Sequence, residues 1–206
     1  MLEPADFVDV VDHPYFPLAV GSRWVYEGED DGEVERVEVV VTGRRREILG
    51  ISATVVRDTV YVDGELAEDT FDWFAQDRDG NVWYLGEDTR EFENGVAVSA
   101  AGAWEAGIDG AKPGIVMLAE PASGDAYRQE LYEGEAEDMA RVVDVAAERT
   151  VPTGTYQDVL VTEDWNPLDP DVFEEKWYAA GVGLIGERKL TGGKGRVELI
   201  EFTAGG

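Results

Sequence analysis

The chain contains no cysteine and a single histidine among 206 residues. The first absence excludes disulfides, thiolate metal sites and cysteine nucleophiles together. The second excludes zinc centres built from several imidazoles. Basic residues are scarce as well: 17 Lys and Arg stand against 45 Asp and Glu, for a formal net charge of −28. A generic basic surface for DNA, RNA or anionic lipid is therefore ruled out, and no nucleic-acid partner is expected. No apolar run approaches the roughly 18 residues of a membrane span, and Met1-Leu2-Glu3-Pro4 lacks the basic-then-apolar plan of a leader. Ser22, Ser52, Ser99 and Ser123 all lie outside a nucleophile elbow, and His13, before Pro14, reads as a loop residue. Gly181-Val-Gly183 and Gly192-Gly193-Lys194-Gly195 lack the frame of a phosphate-cradling loop.

What is present argues for a folded domain. Hydrophobic residues make up 44% of the chain and aromatics 10%, more than an acidic disordered tail carries. Asp63-Gly64, Asp79-Gly80, Asn94-Gly95 and Gly192-Gly193 punctuate stretches rich in Val, Thr, Tyr, Phe and Trp, which is the signature of hairpins. Between them the pattern has period two, as where Val37, Val39 and Val41 alternate with Arg36, Glu38 and Val40. Strands are expected at 23-28, 33-43, 46-62, 65-76, 81-87, 90-99, 125-133, 139-150, 155-164, 172-179, 182-190 and 195-203. At most one short helix is expected, within 133-141. The fold class is all-β: an antiparallel meander that closes into a barrel or half-barrel. A single domain over 1-206 is expected; the alternative is two β subdomains joined through 107-124.

The stretch from Glu68 to Asp88 forms the central hairpin. A two- or four-residue turn at Asp79-Gly80 puts Phe71, Trp73, Ala75, Val82 and Tyr84 on one face. Asp72, Phe74, Gln76, Asn81, Trp83 and Leu85 fall on the other. A three-residue loop would mix these sets. The second face interleaves aromatics with polar groups, as a ligand cavity does, so Phe74, Trp83, Asp72 and Gln76 are candidate ligand-binding residues. Asp77-Arg-Asp-Gly-Asn81 fails the EF-hand pattern, with Gly80 at the fourth position and Asp88 at the twelfth. An irregular calcium site on Asp77, Asp79 and Asn81 is the alternative to a plain hairpin tip; no other cofactor is expected.

Residues 102-124 break the strand rhythm with several Gly and Pro and are expected to be a long ordered loop. Trp104 within it is a further candidate for ligand contact or for plugging a barrel end. Glu105 and Asp109 beside it are the first choice for catalytic acids if the protein is an enzyme. Arg44-Arg45-Arg46, the basic run, is expected to pair with surface carboxylates.

Several phrases are familiar together: His13-Pro-Tyr-Phe-Pro-Leu-Ala-Val-Gly-Ser-Arg-Trp-Val-Tyr-Glu-Gly28, the central hairpin, Gly102-Ala-Trp-Glu-Ala-Gly-Ile-Asp-Gly-Ala-Lys-Pro-Gly114 and Lys176-Trp-Tyr-Ala-Ala-Gly-Val-Gly-Leu184. They resemble a widespread group of uncharacterised bacterial exported or lipoprotein-like proteins. The opening and closing phrases are similar to those of half-barrels that look like lipoprotein carriers. That resemblance implies an extracellular or periplasmic location and a lipocalin-like use of the interior, and it supplies no catalytic residues. The chain lacks the Cys that is acylated in lipoproteins.

The resulting expectation is a non-catalytic exported protein that holds an apolar or amphipathic small molecule inside the barrel. The alternatives are a carboxylate-based enzyme acting on carbohydrate or using a hard divalent metal, and an acidic structural module without ligand. Acids recur on nearly every strand and turn, so the charge reads as a property of the whole surface.

Overall fold

The computed structural model describes residues 2-206. After a single 3-10 turn at Pro4–Asp6 come three short strands, β1 (Phe7–Val8), β2 (Asp12–His13) and β3 (Phe16–Pro17). The body follows with β4 (Arg23–Asp30), β5 (Glu33–Ile48), β6 (Ile51–Val62), β7 (Glu65–Asp77), β8 (Val82–Glu93) and β9 (Val96–Ser99). Next are β10 (Trp104–Glu105), β11 (Lys112–Met117), β12 (Ala126–Arg128) and β13 (Glu130–Leu131). The chain ends with β14 (Met139–Val151), β15 (Gly154–Asn166), β16 (Asp169–Ala179), β17 (Gly183–Thr191) and β18 (Gly195–Thr203). The expected all-β class is what the structure shows. Among the described residues no helix is long and apolar enough to cross a membrane.

Strands that follow one another in sequence mostly pair antiparallel, and β18 returns to lie beside β4, with Leu199 opposite Tyr26. The two ends of the sheet then meet through one short segment. Its beginning, β12, pairs with β14, and its end, β13, pairs with β11. The sheet is thereby bent into a nearly closed barrel.

Period-two patterning sets what faces the interior. Trp24 lies opposite Val39 and Tyr26 opposite Val37, so these four side chains point the same way, inward. Arg23, Arg36, Glu27 and Glu38 take the other parity. They form a surface ladder in which Arg36 reaches Glu27 at 2.5 Å and Arg23 reaches Glu38 at 3.0 Å. Inside, Leu160, Ile185 and Leu199 belong to the fully buried set, each such side chain contributing about 1.5–3 kcal/mol.

Aromatics on the outer face are shielded by arginine. Arg44 lies 4.6 Å from the centre of the Phe71 ring, and Arg46 lies 4.0 Å from that of Trp73. Arg149 and Arg196 cover Trp177 in the same way. The basic run at 44-46 thus does more than meet carboxylates, although Arg46 also pairs with Glu105 at 2.5 Å. Its flat guanidinium groups seal apolar rings from water while their charges stay wet.

Three expectations need correction, and the open choice over a short helix is resolved. The β5–β6 turn is at Leu49-Gly50, not within the arginine run, because both Leu49 and Gly50 take positive φ. No helix forms in 133-141; Tyr132 and Ala136 instead bridge across a tight turn with Gly134 at φ +79°. The 102-124 segment is not all loop, since it supplies β10 and β11, both paired with β8. Finally, the central hairpin has the three-residue loop 78-80: the Asp77 amide donates to Asn81 O, and Gly80 sits at φ +102°. Phe74 consequently lies opposite Tyr84, and Gln76 opposite Val82, which mixes the two expected faces. A bulge at Gly86 shifts the alternation again. Its φ of +131° and the Trp104 carbonyl, 2.2 Å from where a Cβ would stand, admit only glycine.

Candidate functional site

The barrel interior contains a cavity of about 280 Å³. Asp58, Asp72 and Phe74 reach it from β6 and β7. The ladder places Val56 opposite Asp72 and Thr54 opposite Phe74, so 56, 58, 72 and 74 share the inward face. Tyr84 comes from β8 and stacks on Phe74 with ring centres 4.9 Å apart. Trp24 and Tyr26 enter from β4, Lys176 and Tyr178 from β16, and Glu130 from β13. One end is aromatic and aliphatic. The other continues into a second hollow that shares Gln129, Asp138 and Lys176 and adds Asp164 and Glu174.

An N-terminal strap covers the aromatic end. Phe16, Pro17 and Leu18 line the cavity, and Phe16 meets the Phe74 ring edge-on at 5.1 Å. Gln76 holds the strap: its Oε1 accepts the amides of Asp12 and His13 at 2.9 and 3.0 Å, and its Nε2 donates to Asp12 Oδ1 at 2.9 Å. His13 is a second fastening. The Tyr15 amide donates to Nδ1, which leaves the ring proton on Nε2, 3.4 Å from the Ala119 carbonyl. Burial keeps the His13 pKa below the ordinary histidine value, so the ring is neutral at pH 7.

Electrostatically the interior is unusual. Burial first, and then the charge of Asp72, drive the Asp58 carboxyl well above the usual range. Asp72 is pushed up to about 6 by burial, against the hydrogen bond from Tyr84 that favours its charged form. Glu87, behind Tyr84, is pushed up to about 8 by burial and the neighbouring Asp72. Glu130 is also raised, by burial and Asp138. Lys176 is the lone cation lining the cavity, and its Nζ lies 3.5 Å from Asp164 Oδ2. Burial opposes its charge, yet the carboxylates of Asp164, Glu187 and Glu174 hold its pKa well above normal. Of the carboxyls lining the cavity, two hold an oxygen, Asp58 Oδ1 and Glu130 Oε2, that is buried without a hydrogen-bond partner. Such groups are costly unless something neutralises them.

Of the residues singled out by sequence, Asp72 and Phe74 line this cavity. Gln76 fastens the strap. Trp83 lies opposite Ala75, with its Nε1 donating to Asp77 Oδ2 at 2.8 Å. Trp104 is buried edge-on against Tyr84, at 5.4 Å, and backs the wall instead of facing the cavity. Glu105 is engaged by Arg46, and Asp109 occupies an exposed turn at φ +48°. Both oxygens of Asp77 are taken, Oδ1 by the Asn81 amide and Oδ2 by Asn81 Nδ2 and Trp83 Nε1. Asn81 Oδ1 accepts from the Ala119 amide, so Asp77 and Asn81 clasp the hairpin tip.

Sequence reasoning did not select Asp58, Glu130, Lys176 or Tyr84. Asp58 did carry a signal, because it holds the same parity as Val56 and Val60. An acid in register with inward valines is an inward acid.

Comparison with known proteins adds fold information. No family model and no curated protein matches the chain. A solved structure from Bacteroides fragilis NCTC 9343, assigned as an exported protein with a YmcC-like fold, is similar at 14% identity. The match covers 92% of this chain and 99% of that one, with a TM-score of 0.54. A structure assigned as a lipoprotein, from Parabacteroides distasonis ATCC 8503, is 12% identical over 95% of this chain and 100% of its own, with a TM-score of 0.41. At 14% identity the first likeness concerns the fold: a nearly closed β architecture spanning almost the whole chain.

Proposed function

We propose that this is an exported binding protein that holds an apolar or amphipathic small molecule inside its barrel. The cavity carries the reading: about 280 Å³ of space is lined at one end by Trp24, Tyr26, Phe74, Tyr84 and Tyr178 and roofed by a strap. That volume lies near the lower limit of small-molecule sites, which are concave and mostly apolar with a few placed polar groups. Export is supported by the assignment of the Bacteroides fragilis neighbour and is compatible with a cysteine-free acidic chain.

Native mass spectrometry of gently purified protein tests the proposal. A bound small molecule that leaves on denaturation is expected, and filling the cavity with Val56→Trp should abolish it. Protein that carries no adduct, and whose melting temperature does not move across a panel of fatty acids, alcohols and amines, would contradict the reading.

A further inference from the structure

The cavity is lined by more acids than bases, and a cationic occupant is what would restore the charged form that burial disfavours in these carboxyls. Four carboxyl groups line it, those of Asp58, Asp72, Glu130 and Asp138, against the single ammonium of Lys176. Lys176 is already matched on its far side, with Asp164 at 3.5 Å and Glu187 across the β16–β17 ladder. Its charge is therefore not free to receive a fatty acid carboxylate. Asp58 and Glu130, by contrast, each present a buried oxygen with no partner. Glu130 is only 9% exposed. Tyr84, Phe74 and Tyr26 line the same cavity, and aromatic rings attract cations. Among the described residues no group of three His, Asp or Glu side chains is arranged to hold a metal ion, which leaves an organic cation as the fitting charge.

Resting on the proposed interior binding, we propose that the occupant is a cationic amphiphile. Its apolar body lies against the aromatic end of the cavity, and its ammonium group faces the carboxyl-lined part, where Asp58 and Glu130 hold the unpartnered oxygens.

Four probes separate this from its rivals: octylamine, octan-1-ol, octanoate and ethylamine, each titrated at one pH and ionic strength with melting temperature and calorimetry as readouts. Octylamine should bind about tenfold or more tighter than octan-1-ol, the margin that one desolvated cation–π and carboxylate contact supplies. Octanoate should bind more weakly than either. Ethylamine carries the head group without the body and reports adsorption to the acidic surface; it should give no comparable shift. Asp58→Asn and Glu130→Gln should each reduce the preference for amine over alcohol and leave alcohol binding in place. Where one of these variants does not fold, the other supplies the comparison.

Equal binding of amine and alcohol would overturn the charge assignment while interior binding stood. The strongest binding by octanoate would overturn it in favour of Lys176, and an equal response to ethylamine would overturn it in favour of the surface. No response to any eight-carbon probe would remove both this inference and the binding reading beneath it.

Discussion

Tyr84 Oη lies 2.6 Å from Asp72 Oδ1 and 3.0 Å from Glu87 Oε2. A phenol carries one proton, so it can donate to only one of these carboxyls. The other must hold a proton of its own and donate back, and Glu87, pushed up to about 8, is the group that keeps one at neutral pH. The trio is thus two acids that share one negative charge around one tyrosine. Tyr84→Phe should remove the partner of the charged member and lower unfolding stability by about 1–3 kcal/mol, the cost of a buried acceptor left unmet. Urea denaturation should show a larger loss at pH 8 than at pH 5, where both carboxyls can be protonated. An equal loss at the two pH values would contradict the shared charge.

The raised interior acids also set a pH dependence for the whole fold. Asp72 at about 6 and Glu87 at about 8 titrate higher in the folded protein than in the unfolded chain, where carboxyls ionise near 4. Between these limits the folded state binds more protons than the unfolded state, so stability falls as pH rises. It is fully retained below about pH 4 as far as these two groups are concerned, and it is lost progressively up to about pH 8. Glu38, lowered by Arg23 and Arg36, and Glu175, lowered by the Trp177 indole hydrogen bond and then by Arg188, act in the opposite sense, from positions nearer to solvent. The melting temperature should therefore decline between pH 5 and pH 9; a rise over that range would mean that the interior carboxyls are compensated.

Lys176 should be indispensable at neutral pH. Replacing it by Met leaves Asp164, Glu187 and Glu174 facing a neutral stem, and breaking this half-buried pair should cost about 1–3 kcal/mol, less than a fully buried one. Chemical denaturation at pH 8 should show that loss, and lowering the pH should recover much of it as the acids protonate. A Lys176→Met protein as stable as the parent at pH 8 would show that water, not lysine, neutralises the cluster.

Gln76→Ala tests the strap. Three hydrogen bonds to Asp12 and His13 disappear with the amide, at about 0.5–1.5 kcal/mol each, while the barrel ladders remain. The N-terminal 20 residues should become sensitive to limited proteolysis before the body does. Amide exchange should quicken at 12-18 and hold steady in β15 and β16. Uniform loss of protection through the barrel would mean that Gln76 supports the core and not the strap alone.

Much of the architecture was legible because inward Trp24, Tyr26, Val37 and Val39 alternate with outward Arg23, Glu27, Arg36 and Glu38 along β4 and the first half of β5. The site was less legible, for two reasons. Single-residue irregularities, the Gly80 loop and the Gly86 bulge, reverse which parity faces inward, and sequence alternation read straight through them puts Tyr84 opposite the wrong residues. Acids, moreover, are read as surface by default, whereas Asp58, Asp72, Glu87 and Glu130 turn part of the −28 charge inward. That is a property of register, and register is fixed by tertiary pairing.

The segment 126-131 closes the barrel with few residues, and this has a consequence for the strand it borders. β12 pairs with β14 only from Met139 to Arg141, so residues 143-151 of β14 hydrogen-bond as a strand to β15 alone. A straight bare margin of that length would recruit other chains into fibrils. Here three register shifts between Val142 and Arg149 kink it, and Asp144, Glu148 and Arg149 stud it with charge. The exposed Val143 and Val145 thus sit on a margin too crooked and too charged to template a neighbour. Sedimentation at rising concentration should accordingly find no growing assemblies, and shortening the strand to restore a flat register should produce them.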